Sequence, residues 1–399
     1  MAAIRPFRAL RPSPESAARV ASVPYDVVSG DEARTLARGN PLSFLHVTRS
    51  EIDLPAKTDP YAPEVYAQAA ANLERIRREA PLVVEEEPCC YFYRLKMGGR
   101  EQIGVAAAFS LDEYDADRIK KHERTRRDKE DDRTQHITAL RAQTGVVFLT
   151  YRASQDVDEI AKRATATEPL YDFVAADGVA HTVWRAAGEN VRPLMEAFDR
   201  VPALFIADGH HRAASAARTR ERIDSEAARW FLAVAFPDKQ VQILPYNRVV
   251  KDLAGMTPAS FVEKLGERLF VTNGGPVPER KGEASMYLDG RWYTLGLSAL
   301  AGEDRIGSLD VSVLQKVVLD AILGIADVRT DKRIDFVGGA RGTPELERLV
   351  DSGKAAVAFS LHPVTIGDLM SIADAGGIMP PKSTWFEPKL RDGLLIYTL

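Results

Sequence analysis

Five consecutive residues, Asp208-Gly209-His210-His211-Arg212, join a glycine to three side chains that can donate hydrogen bonds. The apolar run Leu204–Ala207 precedes them, and the small residues Ala213-Ala214-Ser215-Ala216-Ala217 follow. That order predicts a strand, a glycine turn and the start of a helix. Glycine lets a backbone approach a ligand closely. A helix N-terminus adds unsatisfied N–H groups and about half a positive charge. With two histidines and an arginine at the same spot, the turn has the chemistry of an anion site, phosphate above all. The plainer alternative is a helix start with exposed His and Arg. A metal pair at His210-His211 is disfavoured, because adjacent histidines rarely ligate one ion.

A second candidate is Ile119-Lys120-Lys121-His122-Glu123-Arg124-Thr125, continued by a mixed-charge stretch to His136. Charges of both signs at helical spacing are the mark of a solvated helix held by weak ion pairs. The sharper alternative is a cationic lid in which Glu123, with His122 beside it, does acid–base work next to the phosphate turn. A third is Pro380-Pro381-Lys382-Ser383-Thr384-Trp385-Phe386-Glu387-Pro388-Lys389, where prolines bracket charges and hydroxyls around two aromatics. It reads either as a binding loop or as a rigid loop whose Trp385 and Phe386 plug the core. Lastly, Val23-Pro24-Tyr25-Asp26-Val27 and Asn40-Pro41-Leu42-Ser43-Phe44-Leu45-His46 place Tyr25, Asp26 and His46 among apolar neighbours. Strand and turn packing explains these two; Asp26 and His46 remain candidate polar groups on the substrate side.

The elements that must position these residues are mixed α and β. Ser29 and Glu32 have the spacing of a capping box, and Gly39 with Pro41 stops the helix that follows. Residues 63–79 carry Val65, Ala69, Leu73 and Ile76 on one helical face. Two β-rich runs flank Gly98-Gly99, and Asp289-Gly290 marks a second hairpin. Val147–Tyr151 and Trp230–Phe236 are apolar strands. After Ser308, Leu314, Val317, Val318, Ala321 and Ile322 line a helix that Gly324 ends. Thr365 caps another helix, and the chain closes on an irregular Pro-bounded segment and a final strand. The Gly/Pro-rich stretch 272–282 is the best linker candidate. The expected organisation is a mixed region over 1–150, a middle region over 151–271 with the phosphate turn, and an α/β region over 283–399.

Composition sets the limits. The chain has 399 residues, 45% hydrophobic and 28% charged, as in ordinary globular domains. The 53 Lys and Arg against 57 Asp and Glu leave a net charge of −4, which gives no general attraction for nucleic acid or anionic membranes. Cys89 and Cys90 are neighbours and suit neither an unstrained disulfide nor zinc. No stretch approaches the roughly 18 apolar residues of a membrane span, so a soluble, cytoplasmic protein is expected. The common P-loop, dinucleotide, nucleophile-elbow and zinc-protease signatures are absent.

Taken in order, PYDVVS, NPLSFLHV, KHERT, DGHHRAAS and PPKSTWFEPK resemble the motifs of a bacterial family, domain of unknown function 1015, over essentially the whole chain. DGHHRAAS also resembles the phosphate loop of the ParB/sulfiredoxin superfamily and the Asp-Gly-His-His-Arg loop of the archaeal ADP-dependent free serine kinase. The resemblance implies an α/β (α+β) nucleotide-binding core of ParB/sulfiredoxin type with additional mixed regions. Sulfiredoxin has Cys where this chain has His210, so sulfinic-acid reduction is not expected. The helix-turn-helix of ParB proteins has no counterpart here.

The function implied is a phosphotransferase using ATP or ADP on a small hydroxyl compound, free serine being the example. Asp208, Gly209, His210, His211 and Arg212 would hold the phosphates, with Mg²⁺ expected and Asp208 its candidate ligand. Glu123 would take the hydroxyl proton, and Lys121 or His122 would offset developing charge. Tyr25, Asp26, His46, Lys382, Ser383 and Thr384 are the candidate substrate contacts. The alternative is a ParB-like nucleotide-binding regulator without transferase activity; a scaffold with a vestigial loop is the third reading. A homo-oligomer is compatible with the sequence.

Overall fold

A computed structural model describes residues 3–399 and shows a mixed α/β protein. The chain forms two compact units. The first holds the residues up to Lys121, Thr125–Val241 and Pro388–Leu399; the second holds His122–Arg124 and Gln242–Glu387. This partition differs from three successive regions, because the pairing of distant strands, not composition, decides it.

The first unit is built on a nine-stranded sheet. Its strands are β1 (Ile4–Arg5), β2 (Cys90–Met97), β3 (Arg100–Ser110), β4 (Ile119–Lys120), β5 (Val147–Tyr151), β6 (Tyr171–Val174), β7 (Ala180–Ala186), β8 (Leu204–Asp208) and β9 (Trp230–Pro237). They lie in the order β4-β8-β5-β9-β3-β2-β7-β6, with β1 on the free half of β3. β8 runs parallel to β4, and β9 parallel to β5. The other pairs are antiparallel. The β2–β3 hairpin closes at Met97 opposite Arg100, with Gly98 and Gly99 both at positive φ, the requirement of a two-residue turn of this hand.

Four helices of this unit matter to the site: α1 (Gly30–Ala37), α2 (Pro63–Glu79), α3 (Arg127–Leu140) and α4 (His210–Arg220). The Ser29–Glu32 capping box is formed at α1. α2 buries Val65, Ala69, Leu73 and Ile76 as its period requires. α4 sets Ala213 and Ala216 into a core with Phe109, Phe198, Ile206 and Phe231. α3 corrects the solvated-helix reading: Asp132, Thr134, His136, Ile137 and Leu140 are buried. Its polar groups stay inside because each finds a partner. Tyr66 Oη donates to Asp132 at 2.9 Å, and His136 Nε2 is hydrogen-bonded to the Val47 carbonyl at 2.9 Å. Burial, with Arg133 close by, pushes His136 down to about 3, so it stays neutral.

The second unit is a six-stranded sheet of β10 (Tyr246–Val250), β11 (Phe270–Asn273), β12 (Glu283–Leu288), β13 (Arg291–Gly296), β14 (Ile334–Gly338) and β15 (Val357–Leu361). Its order is β11-β13-β12-β15-β10-β14. The Gly/Pro-rich stretch 272–282 therefore joins two strands of one sheet instead of two domains. The helix after Ser308 is α-helical over Asp310–Leu314 and widens to a π-helix over Gln315–Asp320. The wider turn buries Leu319 and Leu323 and leaves Ala321 exposed. The irregular segment expected near the C-terminus contains a short strand, Trp385–Glu387, paired with Gln242–Leu244. Phe386 is buried there, and Trp385 lies edge-on to Tyr246. No helix among the described residues is long and apolar enough to cross a membrane.

Candidate functional site

β8 ends at Asp208, Gly209 turns the chain with φ 94° and ψ 31°, and α4 begins at His210. The positive φ is a left-handed conformation that glycine adopts without penalty. Space is short there as well: a Cβ on Gly209 would lie 3.3 Å from Arg212 Cδ and 3.4 Å from Val147 Cα. Glycine at the N-cap has no side chain to satisfy the first-turn N–H groups of α4. His210 is buried, and His211 Nε2 accepts the Arg126 N–H at 3.0 Å, so neutral His211 carries its proton on Nδ1.

Arg212 does something the sequence did not suggest. Its side chain is 5% exposed and turns inward, beneath the turn. Nη1 donates to the Val146 carbonyl at 2.7 Å, and Nη2 contacts both carboxylate oxygens of Asp26 at 2.7 Å. Burial works against its charge, but Asp26 first, then Asp208, raise its pKa above the ordinary arginine value. Arg212 and Asp26 were expected on the phosphate and substrate sides; instead they bind each other and brace the loop. Tyr25 is packed here too, with the Arg133 guanidinium 4.2 Å above its ring.

A further acid belongs to this cluster. Asp392, near the chain end, is 1% exposed and bridged backbone-to-backbone with Ser22. Burial pushes its carboxyl up to about 7; Arg212 opposes that shift and Asp26 adds to it. Folded Asp392 thus keeps a proton that the unfolded chain releases near 3.8. Stability should fall as pH rises from about 4 to about 7 and level off above. Asp392→Asn is expected to remove this fall, read as Tm between pH 4 and 8. An unchanged slope would show that Asp392 is ionised in the fold.

Asp208 is also partnered from the chain end: Lys389 Nζ lies 3.3 Å from its Oδ2. The sequence places Lys389 in the third candidate segment without a role of its own, and it does not single out Asp392. Lys389 is the last residue of the PPKSTWFEPK motif, which was the available signal.

Lys121 and His46 belong to the first unit as well. Lys121 donates to the Tyr114 carbonyl at 2.9 Å, sits 4.2 Å over the Tyr114 ring and is 3.6 Å from Asp117. His46 Nδ1 is 2.9 Å from Asp53, whose carboxylate also accepts from Asn72 at 2.8 Å. Burial alone would raise Asp53, but the His46 and Asn72 bonds hold it below its usual value.

In the second unit, His122 is buried, and its Nε2 is hydrogen-bonded to Thr384 Oγ1 at 3.3 Å. The His122 carbonyl accepts the Met379 N–H at 2.8 Å. Glu123, in the same unit, is half-buried. Ser383 Oγ donates to the Pro380 carbonyl at 2.6 Å. Lys382, at φ 57°, gives its carbonyl to Arg248 at 3.0 Å and holds its ammonium 5.4 Å from the Tyr246 ring. The structure thus joins His122 to Thr384, and Asp26 to Arg212.

Residues 4–312 match the model of a family described as protein of unknown function (DUF1015). No curated protein matches the chain by sequence. Among solved structures, a free serine kinase in complex with AMP is 14% identical, with 73% of this chain and 91% of that one covered and a TM-score of 0.38. SbnI with a C-terminal truncation, from Staphylococcus aureus, is 13% identical over 72% of this chain and 85% of that one, with a TM-score of 0.40. A conserved hypothetical protein from Pyrococcus furiosus is 16% identical over 73% and 94%, with a TM-score of 0.37.

Proposed function

The chain belongs to the DUF1015 family of proteins of unknown function, and from that starting point we propose that its Asp208–Arg212 turn holds the phosphates of ATP or ADP for transfer to a small hydroxyl compound. One observation carries this reading. A left-handed glycine caps an eleven-residue helix, and the Arg212–Asp26 pair braces the turn from beneath. First-turn amides of such a helix, with its partial positive charge, favour an anion. Gly209 and His210 supply the backbone approach, and His211 adds a side-chain donor. Arg212 acts through the loop's shape, as a positioning residue.

Phosphoryl transfer depends mainly on positioning and charge neutralisation, which such a turn supplies without a nucleophile of its own. Asp208 is the carboxylate suited to a magnesium ion that accompanies the nucleotide, though its Oδ2 shares its charge with Lys389 at 3.3 Å. His122 and Glu123, the acid–base types transfer would use, belong to the second unit with Thr384.

The test is incubation of the purified chain with ATP or ADP, Mg²⁺ and a panel of hydroxy compounds that includes L-serine. A phosphorylated product is expected with at least one pair. Nucleotide binding without product, together with salt-sensitive DNA affinity, would favour a nucleotide-binding regulator instead. Absence of both binding and product would overturn the proposal.

A further inference from the structure

We propose that Arg248 is the positioning residue of the Pro380–Thr384 loop, fixing Lys382, Ser383 and Thr384 for contact with the hydroxyl substrate; this rests on the phosphotransferase reading above and on those three residues as its acceptor contacts. Arg248 lies in β10 and is 2% exposed. Among the described residues no carboxylate pairs with it. Burial pulls its pKa down to about 10, with Tyr246 opposing, so the guanidinium still carries its charge at neutral pH. A buried charge without a counter-ion costs stability. Its partners are backbone carbonyls: Nη1 donates to Tyr246, and Nη2 to Pro381 at 3.4 Å and Lys382 at 3.0 Å. Two of the three belong to the loop.

The loop itself is strained at one of those carbonyls. Lys382 has φ 57°, a left-handed conformation that residues other than glycine seldom adopt. Such a backbone persists only where its surroundings over-determine it, and it gathers at binding sites. With the Lys382 carbonyl held, its ammonium stays 5.4 Å from the Tyr246 ring, Ser383 Oγ donates to the Pro380 carbonyl, and Thr384 meets His122. The next residue, Trp385, is anchored separately: it pairs with Leu244, and its ring lies 2.6 Å from where a Cβ on Gly338 would stand. The sheet thus ties the end of the loop, and one guanidinium ties its centre. Arginine suits this task, because its planar fork of donors reaches several carbonyls at once and an ammonium does not hold that geometry.

The test is steady-state transfer by the full chain at saturating nucleotide, with the acceptor that reacts best in the panel above, for the natural protein, Arg248→Met, Arg248→Gln and Arg248→Lys. Arg248→Met and Arg248→Gln should raise the acceptor KM about tenfold or more, while kcat and the nucleotide Kd stay within about threefold. Arg248→Lys should recover part of the KM. Arg248→Met should lower Tm by less than about 5 °C, because the cost of burying the charge disappears with the hydrogen bonds. Folded variants with the natural acceptor KM would overturn this inference and leave the phosphate reading standing. So would variants that weaken acceptor and nucleotide equally, or that no longer fold, since Arg248 would then be a structural residue only. A natural protein that transfers to no acceptor removes the phosphotransferase reading and this inference with it.

Discussion

Arg212→Met is expected to destabilise the first unit by about 3 kcal/mol, toward the lower end of the cost of breaking a buried ion pair. The guanidinium is 5% exposed and Asp26 is 38% exposed, so water recovers part of what Asp26 loses. The Val146 carbonyl loses its donor as well, and buried Asp392 loses the charge that opposes its protonation. Methionine keeps the stem's packing, so the loss measures charge and hydrogen bonding. Arg212→Lys should recover only part of it, because an ammonium cannot span Asp26 and Val146 together. Urea unfolding of the three proteins is the check. A change below about 1 kcal/mol would place the pair among ordinary surface bridges. Arg212 is therefore a poor probe of ligand contact, since any lost binding would follow from a disturbed loop.

The second large effect is at Gly209. Gly209→Ala puts a side chain into a left-handed backbone at φ 94°, a cost of about 1–2 kcal/mol. The new Cβ would also press on Arg212 Cδ at 3.3 Å and on the Val147 backbone at 3.4 Å, adding about 1 kcal/mol or more of crowding. The same methyl group presses on the Arg212 brace and so disturbs the loop whose amides would hold a phosphate. Gly209→Ala should thus lower Tm and weaken ADP by more than its stability loss explains, because the loop's amides are displaced in the folded fraction too. Titration well below the variant's Tm separates the two. Unchanged ADP affinity in folded Gly209→Ala would place the phosphates elsewhere.

What the sequence revealed was local. The Ser29–Glu32 box, the α2 face and the Gly98-Gly99 and Asp289-Gly290 turns follow from periodicity and φ preferences within a few residues. The β8–Gly209–α4 turn was legible for the same reason. What escaped depends on contacts far apart in the chain. Asp26 and Arg212 are 186 positions apart, and Lys389 and Asp208 are 181 apart. No spacing rule joins such pairs, so Arg212 read as a free donor when it is the loop's brace. The charged face of α3 misled in the same way: its partners, Tyr66 and Val47, come from distant segments. The grouping of His122 to Arg124 with a unit that begins at Gln242 also has no local signature.

The most direct test of the phosphate turn is an amide NMR titration of the full chain with ADP, followed by inorganic phosphate as competitor. The account predicts saturable shifts at the amides of Gly209, His210 and His211, partly reversed by phosphate. ADP binding that leaves these amides unmoved, or no binding at all, would contradict it.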